Sequence, residues 1–220
     1  MQAIKLEQKT ISVLKSFSTI NPSILIKPGK ELTTISPTRT IMAKASIDQQ
    51  FESTFAIYDV SRFLSTLSLF DNPTLEINDK FVVISSDTKK MRYGFADPSA
   101  IISPPDKEIK LPSVDISFKL TNLALSDVMK ALAVLRLPEI AVVGDGEDIN
   151  LQAIDSTGKV SDVYSIVVGK SAEKFKMIFK AENIKVIPGD YTVEISKKGI
   201  SHFVNDVAEY WIAVESNSNS

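Results

Sequence analysis

The feature that most constrains this chain is a proline-rich stretch at its midpoint. Residues 96–115 read Ala-Asp-Pro-Ser-Ala-Ile-Ile-Ser-Pro-Pro-Asp-Lys-Glu-Ile-Lys-Leu-Pro-Ser-Val-Asp and hold four of the ten prolines in 220 residues. Proline has no backbone N–H to donate and fixes φ, so neither a helix interior nor a central strand passes through such a run. An extended linker does. The chain is therefore expected to fold as two halves of about 100 residues, an ordinary domain size.

The two halves read alike. Ile4-Lys5-Leu6 precedes a helical stripe over Glu7–Thr19, with Val13, Leu14, Phe17 and Ile20 on one side and Lys9, Ser12, Lys15, Ser16 and Thr19 on the other. Phe118-Lys119-Leu120 stands in the same relation to a stripe from about Ser126 to Arg136. Strand-like runs follow in both halves: Ser23–Lys27, Thr40–Ala45 and Phe51–Tyr58 in the first, Glu139–Val143, Ile149–Ile154, Ser161–Val168 and Lys174–Phe179 in the second. A second helix is expected next, capped by Asp59 and running to Leu69 in the first half, and around Ala181–Val186 in the second. Further strands close each half: Thr74–Ile77, Phe81–Ser85 and Met91–Phe95, then Asp190–Ser196, Ile200–Val204 and Glu209–Val214. Helix, strands, helix, strands, twice over, makes the fold class α+β with mostly antiparallel sheets. The expected divisions are residues 1–102, a connector over 103–115, residues 116–215, and a disordered polar tail over 216–220.

Small counts exclude most chemistry. The absence of cysteine rules out thiol nucleophiles, disulfides and zinc ribbons, and the single histidine, His202, leaves no His-rich metal site. His202 sits in a strand-like run and reads as structural. Pro28-Gly29-Lys30-Glu31 lacks the glycine and hydroxyl pattern of a phosphate loop, and Gly144-Asp145-Gly146-Glu147-Asp148 reads as a hairpin turn rather than a calcium loop. No catalytic residue, cofactor or metal is expected. No leader and no membrane span is read from the sequence, which points to the cytoplasm.

The formal net charge of -2, from 25 basic and 27 acidic residues, rules out holding nucleic acid by bulk positive charge. Its distribution is more informative. Lys9, Lys15, Arg62, Lys130, Arg136, Lys180 and Lys185 fall on or beside the four expected helices, whereas Asp145, Glu147, Asp148, Asp155 and Asp190 fall in turns and strands. If the helices line one surface, that surface attracts phosphates without reading bases. Taken one helix at a time, the same residues are solvated polar faces.

Several runs resemble the DNA polymerase sliding clamps of tailed phages, relatives of the ring-shaped cellular replication clamps. Leu14-Lys15-Ser16-Phe17-Ser18-Thr19-Ile20-Asn21 with Ile24-Leu25-Ile26-Lys27 resembles that family's first helix and strand. Ala56-Ile57-Tyr58-Asp59 with Phe63-Leu64 and Leu67-Ser68-Leu69 resembles its second helix, and Ala96-Asp97-Pro98-Ser99 the lead-in to its connector. Pro188-Gly189-Asp190-Tyr191 and Tyr210-Trp211-Ile212-Ala213-Val214-Glu215 resemble its closing strands.

The resemblance implies a DNA-clamp fold of two similar domains, each with two helices on antiparallel sheets, closing as a homotrimeric ring. Simple geometry agrees with that copy number. A domain of about 100 residues is roughly 30–35 Å across, so six around a ring leave a hole about one domain wide, whereas four leave roughly 13 Å. Duplex DNA is about 20 Å across. The resemblance further implies a non-enzymatic processivity factor that encircles duplex DNA at replication forks in the host cytoplasm. Its implied partners are DNA polymerase and a clamp-loader ATPase, which bind through terminal peptides, and, as a further partner class of the family, late-transcription factors. It places Lys9, Lys15, Arg62, Lys130, Arg136, Lys180 and Lys185 on the DNA-facing inner helices. Ile109, Leu111 and Pro112 of the connector, with Tyr210 and Ile212 of the closing strands, form the expected peptide pocket. Without the resemblance, a β-rich phage structural or assembly protein with no DNA role accounts for the same composition, and a hydrolase using paired carboxylates is a third reading.

Overall fold

A computed structural model of the chain describes residues 2–107, 109–158 and 162–218. The chain divides into two compact units, Met1–Lys107 and Glu108–Ser220.

The first unit opens with β1 (Gln2–Ile4) and α1 (Gln8–Ile20), which buries Thr10, Val13, Leu14, Phe17 and Ile20 along one stripe. The helix stops at Asn21 because Pro22 follows, and a residue before proline is pushed out of the helical region. β2 (Ile24–Ile26), β3 (Gly29–Ile35), β4 (Ile41–Phe51) and β5 (Phe55–Ile57) come next. The expected strand Phe51–Tyr58 is in fact broken after Phe51. The break turns the chain so that the Phe51 and Phe55 rings meet edge to face, 5.6 Å apart. α2 (Val60–Leu67) starts where Asp59 predicts, the carboxylate accepting the Arg62 N–H at 2.8 Å. β6 (Thr74–Ile77), β7 (Phe81–Ser86) and β8 (Lys89–Gly94) complete the unit. β1, β6, β7 and β8 form one antiparallel sheet in that order, and β3 pairs with β4 and β2 with β5. Leu14 of α1 and Phe63 of α2 share a core with Phe51, Phe55, Leu75, Ile77, Val82 and Phe95.

The second unit holds β9 (Ile116–Leu120), α3 (Asn122–Leu135), β10 (Glu139–Asp145), β11 (Asp148–Ile154), β12 (Tyr164–Lys170) and β13 (Lys174–Lys180). β14 (Tyr191–Ser196), β15 (Ile200–Val204) and β16 (Ala208–Ala213) follow. One sheet runs β12-β11-β10-β13, and β9, β14, β15 and β16 are antiparallel neighbours in that order. α3 begins four residues before the expected Ser126, because the Thr121 hydroxyl accepts the Ala124 N–H at 3.2 Å. It ends with Arg136 in the left-handed region at φ 55°, and the Leu137 N–H closes back on the Leu132 carbonyl. Gly144 is a strand residue rather than a turn residue. A Cβ there would lie 2.5 Å from the Phe175 ring, so only glycine lets that ring cross the sheet.

Three expectations fail in this unit. The helix expected around Ala181–Val186 is a single 3-10 turn over Ala181–Asn183. Ile184, Val186 and Ile187 are β-branched and Pro188 follows, so too few residues remain to offset the cost of a helical nucleus. The 216–220 tail is not disordered as far as it is described. The Glu215 N–H donates to the Ile178 carbonyl at 2.8 Å, and the Ser218 hydroxyl accepts the Ile178 N–H at 2.9 Å. Residues 219 and 220 lie outside the described residues, as does Ser161, where β12 was expected to begin. The third failure concerns Tyr210 and Ile212, described with the site below.

Candidate nucleic-acid interface and partner segment

The basic residues divide into two groups. Lys15 on α1, Arg62 on α2 and Lys130 on α3 are exposed on the helix sides opposite the buried stripes. Their neighbours on those faces are small and polar: Ser12 and Thr19 on α1, Ser61 and Ser65 on α2. Such faces present a few positive charges among hydroxyls, the residue types that contact phosphates as point charges rather than by fixed bidentate geometry. Lys9 is half-buried and lies 3.7 Å from Asp48, and Lys130 pairs with Asp127 at 3.2 Å, so part of their charge is offset locally. Arg136 is exposed on the left-handed residue that ends α3.

Lys180 and Lys185 do not belong to a helical face. Lys180 ends β13 on the side that carries Lys174, Lys176 and Ile178. Phe175, Met177 and Phe179 occupy the other side, aligned through β10 with the buried β11 residues Ile149, Leu151 and Ala153. The apolar stripe of α3 packs over β11 on that side, so Lys180 points away from the helix. Lys185 is half-buried beyond the 3-10 turn. Both were placed by a helix that does not form.

The connector is fastened at both ends. In the first unit, the Asn21 amide donates to the carbonyls of Ile35 at 2.9 Å and Ile102 at 3.3 Å, and Lys27 pairs with Asp106. Asp97 accepts from the Ser99 N–H and hydroxyl, which starts the 3-10 turn Pro98–Ala100. In the second unit, Asp115 accepts from the Ser113 hydroxyl at 2.7 Å and the Lys197 N–H at 2.8 Å. Hydrogen bonds from Ser99 hold the Asp97 carboxyl below the usual carboxylate range, and the bond and charge of Lys27 do the same for Asp106. For Asp115 the Ser113 hydroxyl and then the Lys197 amide are the main causes. Between these anchors Ile109 and Leu111 are half-buried and Pro112 is exposed.

Tyr210 and Ile212 do not line an open wall. Both are 0% exposed. The Tyr210 hydroxyl accepts the Ile187 N–H at 3.0 Å, the Tyr191 hydroxyl donates to the Ile187 carbonyl, and the two rings meet edge to face at 6.1 Å. Burial pushes the Tyr191 phenol far above its usual range. Tyr210 and Ile212 share one face of their strand, and that face is the core rather than the pocket wall that the resemblance implies. His202 is structural: it stacks on Trp211 at 4.8 Å, with Nε2 3.0 Å from Glu209 and Nδ1 3.6 Å from Glu194. Among the described residues no cluster of acidic and histidine side chains could hold a metal, and no helix is long and apolar enough to cross a membrane.

Two surfaces escaped the sequence reading. At the end of α3, Val134 is 80% exposed, and with Ala131, Leu135 and Tyr164 it lines an open groove of about 360 Å³ beside the edge strand β12. In the first unit, Leu69 is 61% exposed beyond the end of α2, and its carbonyl accepts from Lys89 on the edge strand β8. Each unit thus presents an apolar helix end beside an edge strand, and β8 carries the exposed Lys89, Lys90 and Arg92. The signal was present in Val134-Leu135, which runs apolar past the buried stripe.

Residues 5–103 match the family model "DNA polymerase processivity factor", and residues 117–216 match "gp45 sliding clamp, C terminal". The chain is 35% identical to the sliding clamp of Vibrio phage KVP40, across 96% of this chain and 99% of that one. It is 29% identical to the sliding clamp of Enterobacteria phage T4, across 98% of both chains. Among solved structures, Archaeoglobus fulgidus PCNA, bound to the C-terminal region of FEN-1, superposes with TM-score 0.68 at 15% identity over the whole of both chains. A putative DNA polymerase III beta subunit from Eubacterium rectale superposes with TM-score 0.72 at 14% identity, over 98% of this chain and 65% of that one.

Proposed function

This chain belongs to the phage sliding-clamp family, and we propose that it acts as a DNA polymerase processivity factor, closing as a homotrimeric ring around duplex DNA. It performs no chemistry of its own. The observation that carries this reading is the pair of unlike edges, one apolar and one basic. An edge strand with free N–H and C=O groups beside exposed Val134 and Tyr164 is a liability in a monomer. The basic β8 edge beside Leu69 is a different surface, so joining one to the other is head to tail. Head-to-tail joints generate rings when the rotation closes. Three copies supply six domains, the smallest of the considered rings with a hole wide enough for a duplex.

Lys15, Arg62 and Lys130 then face the DNA, with Lys9 and Arg136 contributing less. Attachment is topological, because a closed ring cannot leave a long duplex sideways whatever its affinity. A polymerase held by its terminal segment gains a high effective concentration at the primer end. Ile109, Leu111 and Pro112 receive that segment. Loading onto DNA requires a separate ATPase, since the chain has no phosphate loop. The site of action is the host cytoplasm, and a late-transcription partner would use the same ring. Light scattering on the eluting protein at micromolar concentration tests the assembly: the expected mass is three times the 24.2 kDa chain, and a stable single or double mass contradicts it.

A further inference from the structure

With Tyr210 and Ile212 in the core, the side chains left for a partner segment are those of Ile109, Leu111 and Pro112. They lie outside every helix and strand, and sheet pairing begins only at Ile116, opposite Ile195. No backbone ladder fixes them. A knot of hydrogen bonds just downstream does. The Asp115 N–H donates to the Ile195 carbonyl at 3.0 Å. One oxygen of its carboxylate, Oδ2, accepts from the Ser113 hydroxyl at 2.7 Å and from the Lys197 N–H at 2.8 Å. The hydroxyl of the fully buried Ser196 lies 2.8 Å from the Ser113 hydroxyl and 3.5 Å from the same carboxylate oxygen.

The far side of this knot is firm. Ser196 ends β14, and the turn into β15 is closed by the Gly199 N–H on the Ser196 carbonyl at 3.1 Å. Lys197 serves the knot through its backbone, while its ammonium lies 3.4 Å from Glu173. Pro112 carries the fixed point back to Leu111. Its ring holds φ near about −65°, and it keeps Leu111, the residue before it, in extended backbone. The run Leu111-Pro112-Ser113 therefore has few soft dihedrals, and pinning Ser113 sets where Leu111 points.

We infer that Asp115 is a positioning residue for partner capture: its carboxylate clasps Ser113 to the β14–β15 hairpin and so holds Leu111 in the receiving geometry before a partner's segment arrives. The inference rests on the reading of the connector as the partner site, and it adds to that site a residue that does not itself meet the partner. A site set in advance does not deplete its competent form, so the clasp acts on the rate of capture. Leu111, which meets the partner, acts on the rate of release. Asp115 is exposed, so replacing it opens the clasp without opening the core.

The test is stopped-flow anisotropy on the full-length protein with a fluorescein-labelled peptide of the cognate replicative polymerase's C-terminal segment. Asp115→Ala slows association on the order of fivefold, Ser113→Ala about twofold, and both leave dissociation near the parent's. Asp115→Asn, which keeps an acceptor oxygen of the same shape, retains most of the rate. Leu111→Ala instead speeds dissociation by about tenfold. Hydrogen exchange at the Lys197 amide accelerates in Asp115→Ala while the melting temperature stays level, which separates an open clasp from an unfolded unit. Association at the parent's rate in Asp115→Ala, or a loss in Asp115→Asn as large as in Asp115→Ala, overturns the positioning role. If Leu111→Ala still weakens binding in that case, this inference alone fails. If Leu111→Ala also binds as the parent does, the connector reading fails with it, and a parent protein that does not bind the peptide overturns the tethering function itself.

Discussion

Substituting Val134 by lysine separates assembly from folding. Val134 is 80% exposed on the last turn of α3, so the isolated chain loses almost no packing when it is replaced. Lysine is a better helix former than valine by a few tenths of a kcal/mol, and a cation suits a helix C-terminus by about 0.3–1 kcal/mol. Folding stability is therefore expected to stay level or rise. The joint between subunits responds in the opposite direction. Burying four-fifths of a valine, on the order of 120 Å², stabilises a joint by roughly 3 kcal/mol at about 25 cal/mol/Å². Losing it weakens each joint by roughly a hundredfold. In the proposed joint the new ammonium would also face an edge that carries Lys89, Lys90 and Arg92, so it would meet like charge as well as a desolvation cost. An acidic substitution would blur the result by pairing with those residues. Sedimentation velocity across a concentration series, with thermal melting by circular dichroism alongside, reads both effects. The expected outcome is a well-folded monomer at concentrations where the parent chain is expected to sediment as the proposed trimer. A variant that keeps the parent's mass and dissociation constant would show that the α3–β12 groove is not the joint.

Three further outcomes are expected. Lys15→Glu with Lys130→Glu removes up to two phosphate contacts per subunit and six per proposed ring, so the slope of log K against log salt for DNA association falls by up to about 5, and retention of loaded rings weakens; an unchanged slope removes these lysines from the inner surface. Leu111→Ala is expected to weaken polymerase stimulation by about tenfold, the size of a modest interface anchor, while the ring mass stays the same; unchanged stimulation moves the pocket elsewhere. Asp97, Asp106 and Asp115 have folded pKa values held below their unfolded ones, so the stability they add is present above about pH 4 and is lost as pH falls through the lowered values. Hydrogen exchange is then expected to accelerate at the two ends of the connector below about pH 4, before the helices open; exchange there that tracks the helices at every pH contradicts the anchoring.

Local chemistry was the legible part of the sequence. Asp59 states the start of α2 because a carboxylate three residues before a free N–H is a complete capping signal. The midpoint prolines state a linker because proline forbids the alternatives. The turn at Asp145–Asp148 is written in its glycine and aspartates, and the Asp145 carboxylate does accept the Glu147 and Asp148 amides. What was missed depends on distant partners. β3 carries no apolar alternation beyond Leu32 and is a strand because β4 lies beside it. Ser216–Ser218 looked unordered because serine and asparagine bury nothing, yet the open edge of β13 gives their polar groups a partner. Tyr210 and Ile212 are placed at a pocket wall by the family resemblance alone, and nothing local in residues 210–214 tells which way that strand face looks. Lys180 and Lys185 were assigned to a helix by analogy between the halves. The seven residues from Ala181 to Ile187, with three β-branched side chains ahead of Pro188, do not sustain one.

The central claim is that the chain holds DNA by enclosing it rather than by binding it. The most direct measurement loads the clamp, with its loader and ATP, onto a nicked circular duplex, isolates the complex in high salt, and then linearises the circle with a single-cutting nuclease. Enclosure predicts that the protein stays with the circle through the salt wash and leaves after linearisation, while the uncut control keeps it. Loss from the intact circle at high salt, or equal retention on circle and line, would mean that ordinary charge attraction holds the DNA and that the ring reading is wrong.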